Sequence, residues 1–305
     1  MIYIPIWNAI TVAMDSANLK TFIAAAELGS FSLAGERLFL TQPAVSKRIA
    51  ALEQELGARL FDRIGRRVSL TEAGRALLPR AQAILQAIED SRRLIGNLSD
   101  EVGGRLSIGT SHHIGLHRLP PVLRRFTRAY PAVELDLQFM DSEAACRAVQ
   151  TGQLELGIVT LPLSPLAELD SELVWPDPLA VVVGREHPLA GQRSVAPAQL
   201  ATHPAILPAH GTYTREILEQ AIASEIGGLR VSMTTNYLET IKMLVSVGLG
   251  WSVLPRTMLS DDLQALDVPG LLLARQLGSV YHHRRTLSNA ARAMLRQLHD
   301  AATRG

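Results

Sequence analysis

Residues 41–67 read TQPAVSKRIAALEQELGARLFDRIGRR, and this stretch decides how the N-terminal part of the chain is interpreted. Thr41 is a good helix N-cap, and Pro43 falls in the first turn, where its missing N–H costs nothing. An apolar stripe at helical spacing follows, formed by Ala44, Val45, Ile49 and Leu52. The pattern predicts a helix that begins after Thr41 and buries one face.

The opposite face of this predicted helix is polar and basic, and it carries Gln42, Ser46, Lys47 and Arg48. Such side chains can donate hydrogen bonds to base edges or phosphates, although a generic amphipathic helix looks similar. Residues 60–70 then predict two short strands around a turn that contains Arg63, Arg66 and Arg67. The combination is more specific than either part, because the arginines of the hairpin would flank the helix on a DNA duplex.

Two further helices are predicted upstream of this stretch. The first spans residues 18–28 and ends at Gly29, a natural helix terminator. The second is short, with Ser32 as its N-cap and Phe31 packed against its start. Three helices followed by a basic hairpin predict a winged helix-turn-helix over residues 14–72.

The distribution of charge, rather than the net charge, supports a nucleic-acid partner. The 305 residues carry 30 Lys or Arg and 29 Asp or Glu, so the net charge of +1 argues nothing. Between Lys47 and Arg80, however, basic residues outnumber acidic ones. With 47% hydrophobic and 19% charged residues, the composition excludes a disordered chain, and the length favours two or three folding units.

The single cysteine and the N-terminus bear on the cellular compartment. Cys146 cannot form an internal disulfide, which favours a reducing cytoplasm, and no apolar run is long enough to cross a bilayer. Residues 1–13 are apolar but lack the basic residue that precedes the apolar region of a signal peptide. Two interpretations stay open for them: a mis-assigned start, with translation beginning at Met14, and a short ordered extension.

A long helix is predicted from Thr71, its N-cap, to Leu98. Apolar residues alternate along it at spacings of four and three, broken only at Ser91: Leu77, Ala81, Ile84, Ile88, Ile95 and Leu98. This pattern favours pairing with a second copy of the chain, and packing on the helix's own domain is the alternative. Pro79 removes one helical hydrogen bond, and Gly103 and Gly104 form a joint at the end of a linker predicted over residues 73–104.

From residue 105 onwards, strand-like and helix-like segments alternate, which predicts an α/β domain with a parallel sheet over residues 105–305. The predicted strands are 105–110, 133–139, 156–159, 179–183, 229–233 and 251–254, and the predicted helices are 113–130, 142–151, 212–223, 237–247 and 289–302. We expect two lobes. Residues 105–160 and 269–305 form lobe I, which the last helix covers, and residues 161–268 form lobe II.

From Met14 to the C-terminus, these features resemble the LysR-type transcriptional regulators. In the N-terminal part the resemblance rests on Phe22, 29–32, 41–46, Leu52, Glu53, Leu56, Gly57, Leu60, Phe61, Arg63 and 70–74. In the remainder it rests on 106–109, Leu119, Pro120, Phe126, Tyr130, Pro131, Gly152, Leu156, Gly157, 187–189, 248–250, Leu254 and Pro255. Chance agreement over so many spaced positions is remote.

The resemblance implies a winged helix-turn-helix, a long linker helix and a two-lobed, periplasmic-binding-protein-like effector domain. It implies a non-enzymatic protein that needs no cofactor apart from a small-molecule co-inducer. The partners expected are a dyad-symmetric operator in double-stranded DNA, further copies in a homodimer or homotetramer, and RNA polymerase. The residues expected to contact DNA are Ser32, Thr41, Gln42, Pro43, Ser46, Lys47, Arg48, Arg63, Arg66 and Arg67.

Within this set, Gln42, Pro43 and Ser46 are expected to approach base edges. Lys47, together with the arginines of the hairpin, is expected to neutralise phosphates. Lys47 and Arg48 stand where the family more often has an arginine followed by a glutamine. Because a lysine lacks the planar fork of arginine, Lys47 is expected to contact the DNA backbone rather than to read guanine.

The effector is expected between the lobes, where strand ends meet helix starts and backbone N–H groups favour an anion. Ser111, His112 and His113 follow the first strand, and by resemblance Thr160 lies at the crossover between lobes and Thr212 starts a helix opposite. His112 is the weakest of the five, because neighbouring side chains tend to point apart. Roles as helix caps or solvated groups are the alternatives. If His113 contacts an anion, binding should tighten as the pH falls through the histidine range.

Two other classes of function are weaker. An enzyme is disfavoured because no Gly-x-Ser-x-Gly, phosphate loop or Gly-x-Gly-x-x-Gly is present. A metal sensor would use His112, His113, His117, His282 and His283, but adjacent histidines are poorly placed to share one ion, and no metal site is assigned. With only Cys146, a peroxide switch through a disulfide within one chain is excluded, whereas oxidation between subunits is not.

Overall fold

A computed structural model describes residues 14–64, 67–99, 101–223 and 228–303, without the side chains of residues 63, 64 and 67. Residues 1–13, for which two interpretations were left open, lie outside this part. The chain separates into two compact units, the first ending at Arg92 and the second beginning at Arg93. The N-terminal unit contains α1 (Ser16–Leu28), α2 (Phe31–Leu38), α3 (Gln42–Leu56), β1 (Phe61–Ile64), β2 (Arg67–Leu70) and most of α4 (Glu72–Gly96).

The first two helices begin at polar caps, one of which differs from the prediction. Asp15 accepts a hydrogen bond from the backbone N–H of Asn18, and Gly29 ends α1 in the left-handed conformation, with φ of 58°. Ser30, and not Ser32, caps α2: its hydroxyl accepts from the N–H of Leu33, at 3.3 Å. The prediction is wrong by two residues, because Phe31 is already helical and leaves Ser32 exposed in the first turn.

The turn from α2 to α3 is tight. Phe39 adopts a φ of 55° and leaves 97% of its surface exposed, while the N–H of Leu40 donates to the carbonyl of Gly35. A Cβ atom at Gly35 would lie 2.6 Å from the carbonyl oxygen of Leu40, so a side chain cannot be accommodated there. The turn therefore delivers the chain directly to Thr41, whose hydroxyl accepts from the N–H of Ala44, as predicted.

The hairpin packs on the helices through its apolar residues. β1 and β2 pair antiparallel, with Phe61 opposite Leu70. The ring of Phe61 lies 5.5 Å from that of Phe22 and 5.3 Å from that of Phe31, in a core that also contains the buried residues of α3. The Glu53 carboxylate accepts from the N–H of Leu60 at 2.8 Å, which anchors the start of the hairpin to α3.

α4 begins at Thr71, whose hydroxyl accepts from the N–H of Gly74 at 3.0 Å, and it continues through Pro79. The predicted seam divides into two parts. Leu77 and Ala81 pack into the core of the N-terminal unit. Farther along, the exposed apolar side chains are Ile84, Leu94, Ile95 and Leu98, the last of which follows the helix. None of the helices in the described part of the chain is long and apolar enough to cross a membrane.

The C-terminal unit alternates strands and helices. The helices are α5 (His112–His117), α6 (Leu119–Ala129), α7 (Ser142–Gln150), α8 (Pro197–Thr202), α9 (Tyr213–Ile222), α10 (Leu238–Ser246) and α11 (Asn289–Ala302). The strands are β3 (Gly104–Thr110), β4 (Val133–Phe139), β5 (Leu156–Thr160), β6 (Leu169–Gly184), β7 (Ala205–Leu207), β8 (Val231–Thr234), β9 (Ser252–Pro255), β10 (Leu263–Leu266) and β11 (Ala274–His282). The helix predicted over 113–130 is two helices, because Pro120 and Pro121 lack the N–H groups that would continue α5.

The main sheet is mixed rather than parallel, which corrects the prediction. Its strand order is β10-β6-β11-β5-β3-β4, with β9 also paired to β6. β3 runs parallel to β4 and β5, whereas β6, β9, β10 and β11 pair antiparallel. β7 and β8 form a separate parallel pair.

β6 belongs to both lobes. Residues 169–178 pair with β11, and residues 179–184 pair with β9 and β10. Val174 and Trp175 join the core of lobe I, so this lobe extends beyond the boundary predicted at residue 160; Leu271 and Leu273 pack with lobe II, beyond the boundary predicted at 268. As predicted, α11 packs on lobe I, with Met294 and Leu298 in its core.

Candidate functional site

The N-terminal part of α3 presents a polar surface, here named the α3 surface, made of Thr41, Gln42, Pro43, Ser46 and Lys47. All five are exposed except Ser46, which is half-buried. The amide Nε2 of Gln42 donates to the hydroxyl of Ser46 at 3.0 Å, one helical turn away. Hydrogen-bonding groups of two predicted DNA-contacting residues therefore lie side by side on one face of the helix.

Arg48 faces a different environment from the α3 surface. Its Nη1 donates to the hydroxyl of Thr21 at 3.3 Å, and that hydroxyl donates in turn to the carbonyl of Ala17 at 2.7 Å. Thr21 is fully buried. Arg48 thus connects α3 to α1, while its contact with DNA stays a prediction.

The remaining predicted DNA-contacting residues lie outside α3. Ser32 is exposed in the first turn of α2. The backbone of Arg63 pairs with Val68, and that of Arg67 pairs with Ile64, but the side chains of both arginines lie outside the described residues. Arg66 lies wholly outside them.

In the C-terminal unit, a cavity of about 300 Å³ opens between the lobes, and we name it the inter-lobe cleft. It is lined by all five predicted effector-binding residues: Ser111, His112, His113, Thr160 and Thr212. Sequence reasoning missed several further lining residues: Phe139, Met140, Asp141, Ser142, Glu143, Ala144, Pro208, Thr214, Asn236, Tyr237, Leu238 and Arg275. The fold brings together the predicted set, whose contact with an effector stays a prediction.

The side of the cleft formed by lobe I is built from strand ends and helix starts. Ser111 caps α5, accepting from the N–H of Ile114 at 3.4 Å, so its hydroxyl also has a structural role. Thr160 ends β5, and its backbone N–H donates to the buried hydroxyl of Ser142 at 3.0 Å. His112 lies against two aromatic rings, with centroids 5.2 Å from Phe139 and 4.8 Å from Tyr237.

Residues of lobe II close the other side and reach across to lobe I. Thr212 donates its hydroxyl to the carbonyl of Ala209 at 2.8 Å. The Asn236 amide accepts from the N–H of Ala209 and donates to the carboxylate of Asp141, each at 2.8 Å. The N–H of Tyr213 donates to the Glu143 carboxylate at 2.5 Å. Hydrogen bonds at Asn236 and Tyr213 therefore join the lobes at the cleft.

A buried charge network lies at the base of the cleft. Arg275 donates from Nε and Nη2 to the Asp177 carboxylate, at 2.9 and 2.5 Å, and from Nη1 to the Thr214 hydroxyl at 3.2 Å. Arg118 donates to the other oxygen of Asp177 at 3.3 Å. Asp177 is 0% exposed. Two guanidinium groups share one carboxylate, so the network carries a net positive charge.

Two acidic residues, Asp141 and Glu143, also line the cleft. Asp141 and Glu143 accept the two hydrogen bonds described above. Burial raises the pKa of the Glu143 carboxyl above its usual value, although the N–H of Tyr213 acts in the opposite direction. The positive end of the cleft thus lies at Arg275.

The surroundings of His113 bear on its expected pH response. This residue is 4% exposed, and burial, followed by the charge of Arg275, lowers its pKa to about 4. His113 therefore stays neutral through the ordinary histidine range. A bound anion would have to raise this pKa before protonation of the ring could tighten anion binding between pH 7 and 6, so the pH response stays a prediction.

The histidines considered for a metal site fall into two groups. His113 and His117 lie close to Glu239, and these three form a cluster of compatible ligand atoms in the described part of the chain. His282 and His283 lie at the end of β11, where His282 is near Glu168, at 3.6 Å. Glu239 could not be predicted as part of this group, because no local motif connects it to the histidines.

Comparisons with known proteins cover both units. The family model described as "Bacterial regulatory helix-turn-helix protein, lysR family" matches residues 16–75. The model described as "LysR substrate binding domain" matches residues 99–303. Together the two matches take in the α3 surface and the inter-lobe cleft.

Two individual proteins are similar to this chain in sequence, one over most of its length and one over about a third, and a solved structure is similar in fold. YeiE of Escherichia coli (strain K12), an uncharacterized HTH-type transcriptional regulator, is 36% identical over 283 residues, 91% of this chain and 94% of YeiE. An uncharacterized HTH-type regulator of the ibpB-leuC intergenic region in Azotobacter vinelandii is 72% identical over 108 residues, 35% of this chain and 75% of that protein. The crystal structure of full-length CbnR with its target DNA matches with a TM-score of 0.63 at 21% identity, covering 94% of this chain and 100% of CbnR. The last similarity concerns the fold alone.

Proposed function

The chain belongs to the LysR family of transcriptional regulators, and from this premise we propose that a small anion held in its inter-lobe cleft controls its binding to DNA. As a member of this family it carries a DNA-binding helix-turn-helix and an effector-binding domain. The identity of the effector, the residues that bind it and the state of assembly are the content of the proposal.

The proposal that the effector is an anion rests on a single observation, the charge at the base of the cleft. Arg275 lines the cavity, and Asp177 is shared between it and Arg118. A buried cation that is only partly neutralised favours an anionic ligand, because the surrounding dielectric is low. Thr160 and Thr212 line the same cavity, and their hydroxyls would supply neutral hydrogen bonds to such a ligand.

The α3 surface supports the DNA-binding part of the proposal. Gln42 and Ser46 would approach base edges, since their polar groups share one exposed helix face. Lys47 would neutralise a backbone phosphate. Arg48 would act mainly by holding α3 on α1.

The exposed apolar residues of α4 and its C-terminal end support assembly into pairs. Ile84, Leu94, Ile95 and Leu98 would be covered by the same helix of a second copy. Such two-fold pairing would present two α3 surfaces to successive major-groove faces, and the operator would then be dyad-symmetric. We expect a homodimer or homotetramer that acts in the cytoplasm, contacts RNA polymerase and does not catalyse a reaction.

Ligand binding and DNA binding would be coupled through the lobes. An anion that contacts both lobes would favour their closed arrangement and so alter the geometry of the assembled protein. The spacing or bending of the bound DNA would change in response. Either activation or repression could follow from this mechanism.

A ligand screen followed by a DNA-binding assay tests the proposal. The full-length protein is screened by thermal shift against small carboxylates, sulfur oxyanions, amino acids and aromatic acids. We expect an anion to raise the melting temperature and to change the mobility of a complex with the DNA upstream of the protein's own gene. Thr160→Val should abolish the ligand-induced shift, whereas Thr127→Val, at an exposed hydroxyl on α6, should retain it.

Two results would contradict the proposal in separate ways. Stabilisation by neutral or cationic compounds alone would reject the anionic effector. Failure to retard any fragment of the protein's own promoter region at low ionic strength would reject the DNA-binding assignment of the α3 surface.

A further inference from the structure

Three potential metal ligands converge beside the inter-lobe cleft. The Nε2 atom of His117 lies 3.0 Å from Oε1 of Glu239, and Nδ1 of His113 lies 3.6 Å from the same oxygen. The two imidazole rings are 4.8 Å apart between centroids. The candidate ligand atoms all lie within 4.8 Å of one another.

The chain presents these atoms from two elements. His113 and His117 are four residues apart on α5, so their side chains lie on one helix face. Glu239 is in the first turn of α10, on the facing lobe. Two residues from one helix and one from a second element therefore lie close enough together to be candidate ligands of one ion.

His113 is the unusual member of the cluster. Its side chain is only 4% exposed, yet neither ring nitrogen has a hydrogen-bond partner among the described residues. A buried polar group without a partner is costly, and most such groups in proteins are satisfied. A metal ion would provide the missing partner for one nitrogen.

The ionisation states suit metal binding. Burial and the Arg275 charge lower the pKa of His113, although Asp177 and Glu239 oppose this, so the ring is neutral at pH 7. For Glu239, burial opposes ionisation, but a backbone hydrogen bond and the bond with His117 outweigh it and hold the pKa below its usual value. The neutral imidazole of His113 and the carboxylate of Glu239 are therefore available as ligands near neutral pH.

We propose that His113, His117 and Glu239 bind a Zn²⁺ ion that connects α5 of lobe I to α10 of lobe II. Two imidazoles and one carboxylate are a common zinc ligand set, which leaves a fourth position for another ligand. Metal–ligand distances of about 2.0–2.2 Å in a tetrahedral site put ligand atoms roughly 3.3 Å apart. The two separations from Glu239, 3.0 and 3.6 Å, bracket this value, whereas the cluster as a whole extends to at most 4.8 Å, so the side chains would have to draw closer around the ion.

The site would have a consequence for the cleft. His113 belongs both to the cluster and to the cavity lining, and Glu239 follows the lining residues Tyr237 and Leu238. A bound ion would fix the distance between the lobes at this edge and add positive charge beside the proposed anion. Zinc binding itself does not require the protein to bind DNA or an effector.

Zinc titration of the full-length protein tests the site. After removal of metals with a chelator and dialysis, ZnCl2 is titrated by calorimetry, and bound zinc is counted by elemental analysis. We expect one Zn²⁺ per chain at this site and a rise in melting temperature. Glu239→Gln and His117→Ala, at partly exposed side chains, should each weaken this binding by at least about tenfold and remove the thermal shift.

A matched pair elsewhere in the domain provides the control. His210 also lies near a glutamate, at 3.5 Å from Glu219, but it lies outside the three-residue cluster. His210→Ala should therefore bind zinc as tightly as the unaltered protein. MgCl2 should give no comparable stabilisation, because Mg²⁺ prefers oxygen ligands in octahedral geometry.

Two outcomes would overturn the assignment. One is unchanged zinc affinity and stoichiometry in both Glu239→Gln and His117→Ala, with each variant folded as judged by circular dichroism. The other is an equal loss in His210→Ala, which would indicate general binding to surface histidines. Retardation of promoter DNA, measured on the same preparations, keeps a failure of the zinc site separate from a failure of the proposed regulatory function.

Discussion

The α3 surface and the inter-lobe cleft place their polar groups in opposite surroundings. On α3, Gln42 and Lys47 are exposed, and the core lies under the other face of the helix. In the cleft, Asp177 has no exposed surface and holds two arginines. Recognition on α3 can therefore change without loss of the fold, whereas the charge of the cleft and the stability of its domain depend on the same residues.

The largest effect is expected at the centre of the buried network. Asp177→Asn leaves the Arg275 charge without its partner carboxylate, which should lower the free energy of unfolding of the C-terminal unit by about 3–5 kcal/mol. Urea denaturation followed by tryptophan fluorescence would measure this, because Trp175 and Trp251 both lie in that unit. Asp136→Asn, which breaks the more exposed pair with Arg105, should cost less than about 1 kcal/mol. Equal costs in the two variants would remove the contrast between cleft and surface.

A change on α3 should affect sequence discrimination rather than stability. Gln42→Ala is expected to lose about 1–3 kcal/mol of preference for the operator over a scrambled duplex, with no change in melting temperature. The ratio of the two affinities, measured by fluorescence anisotropy, reports this. Gln54→Ala makes the same change at an exposed position near the other end of α3 and should leave the ratio unaltered. A lower melting temperature in Gln42→Ala would show that this exposed side chain contributes to the stability of the fold.

The start of α2 offers a test of how much one N-cap hydrogen bond contributes to the stability of the N-terminal unit. Ser30→Ala removes the N-cap hydrogen bond and should destabilise this unit by about 1 kcal/mol. Ser32→Ala, two residues away and exposed, should change stability by less than about 0.5 kcal/mol. Thermal unfolding of the two variants compares them directly, and a larger effect at Ser32 would restore the cap that the sequence suggested.

A change at Lys47 should lower the affinity for DNA without changing the preference for one DNA sequence over another. Lys47→Ala should weaken binding to operator and scrambled DNA by similar factors and reduce the slope of log affinity against log salt by about 1. Anisotropy titrations at several salt concentrations give this slope. Lys242→Ala, the same change on α10 of the C-terminal unit, should leave it unaltered. If Lys47→Ala changed only operator binding, Lys47 would read bases and not phosphates.

A smaller effect of pH is expected at a buried histidine of the C-terminal unit. Burial, and then the neighbouring His203, lower the pKa of His187, whose Nδ1 accepts from the N–H of Leu189 at 3.2 Å. Because the folded state favours the neutral ring, this stabilisation is full above the unfolded pKa of 6.5 and is lost as the pH falls below it. His187→Gln should flatten the decrease in melting temperature of the C-terminal unit below pH 6.5, and His299→Gln, at an exposed ring, should not. A decrease of equal slope in all three proteins would reject the role of His187.

The sequence predicted the α3 surface more completely than the cleft, and the reason is physical. The cap at Thr41, the apolar stripe and the polar face all lie within one continuous segment, so a periodic pattern captures them together. Ser30 and Ser32 are the same residue type on either side of a helix start, and the pattern did not distinguish them. Ser111, His112 and His113 were predicted because they follow a strand that the pattern also identified.

The charged base of the cleft could not be predicted in this way. Asp177 lies between Pro176 and Pro178, and prolines within a segment argue against a strand because they lack the N–H of a sheet ladder. β11 was missed as well, so nothing connected Arg275 to Asp177, although the two are directly opposite each other in the sheet. Glu239 posed the same difficulty, because its proximity to His113 arises only when the lobes are assembled.

The course of β6 through both lobes sets a limit on dissecting this domain. A gene fragment that ended near residue 178 would keep residues 169–178 of β6 but lack β11, the strand with which they pair. A fragment that began near residue 179 would leave β11 without its neighbour. Halves produced separately would therefore behave as complementing pieces that fold on meeting, rather than as two modules that could be exchanged between proteins.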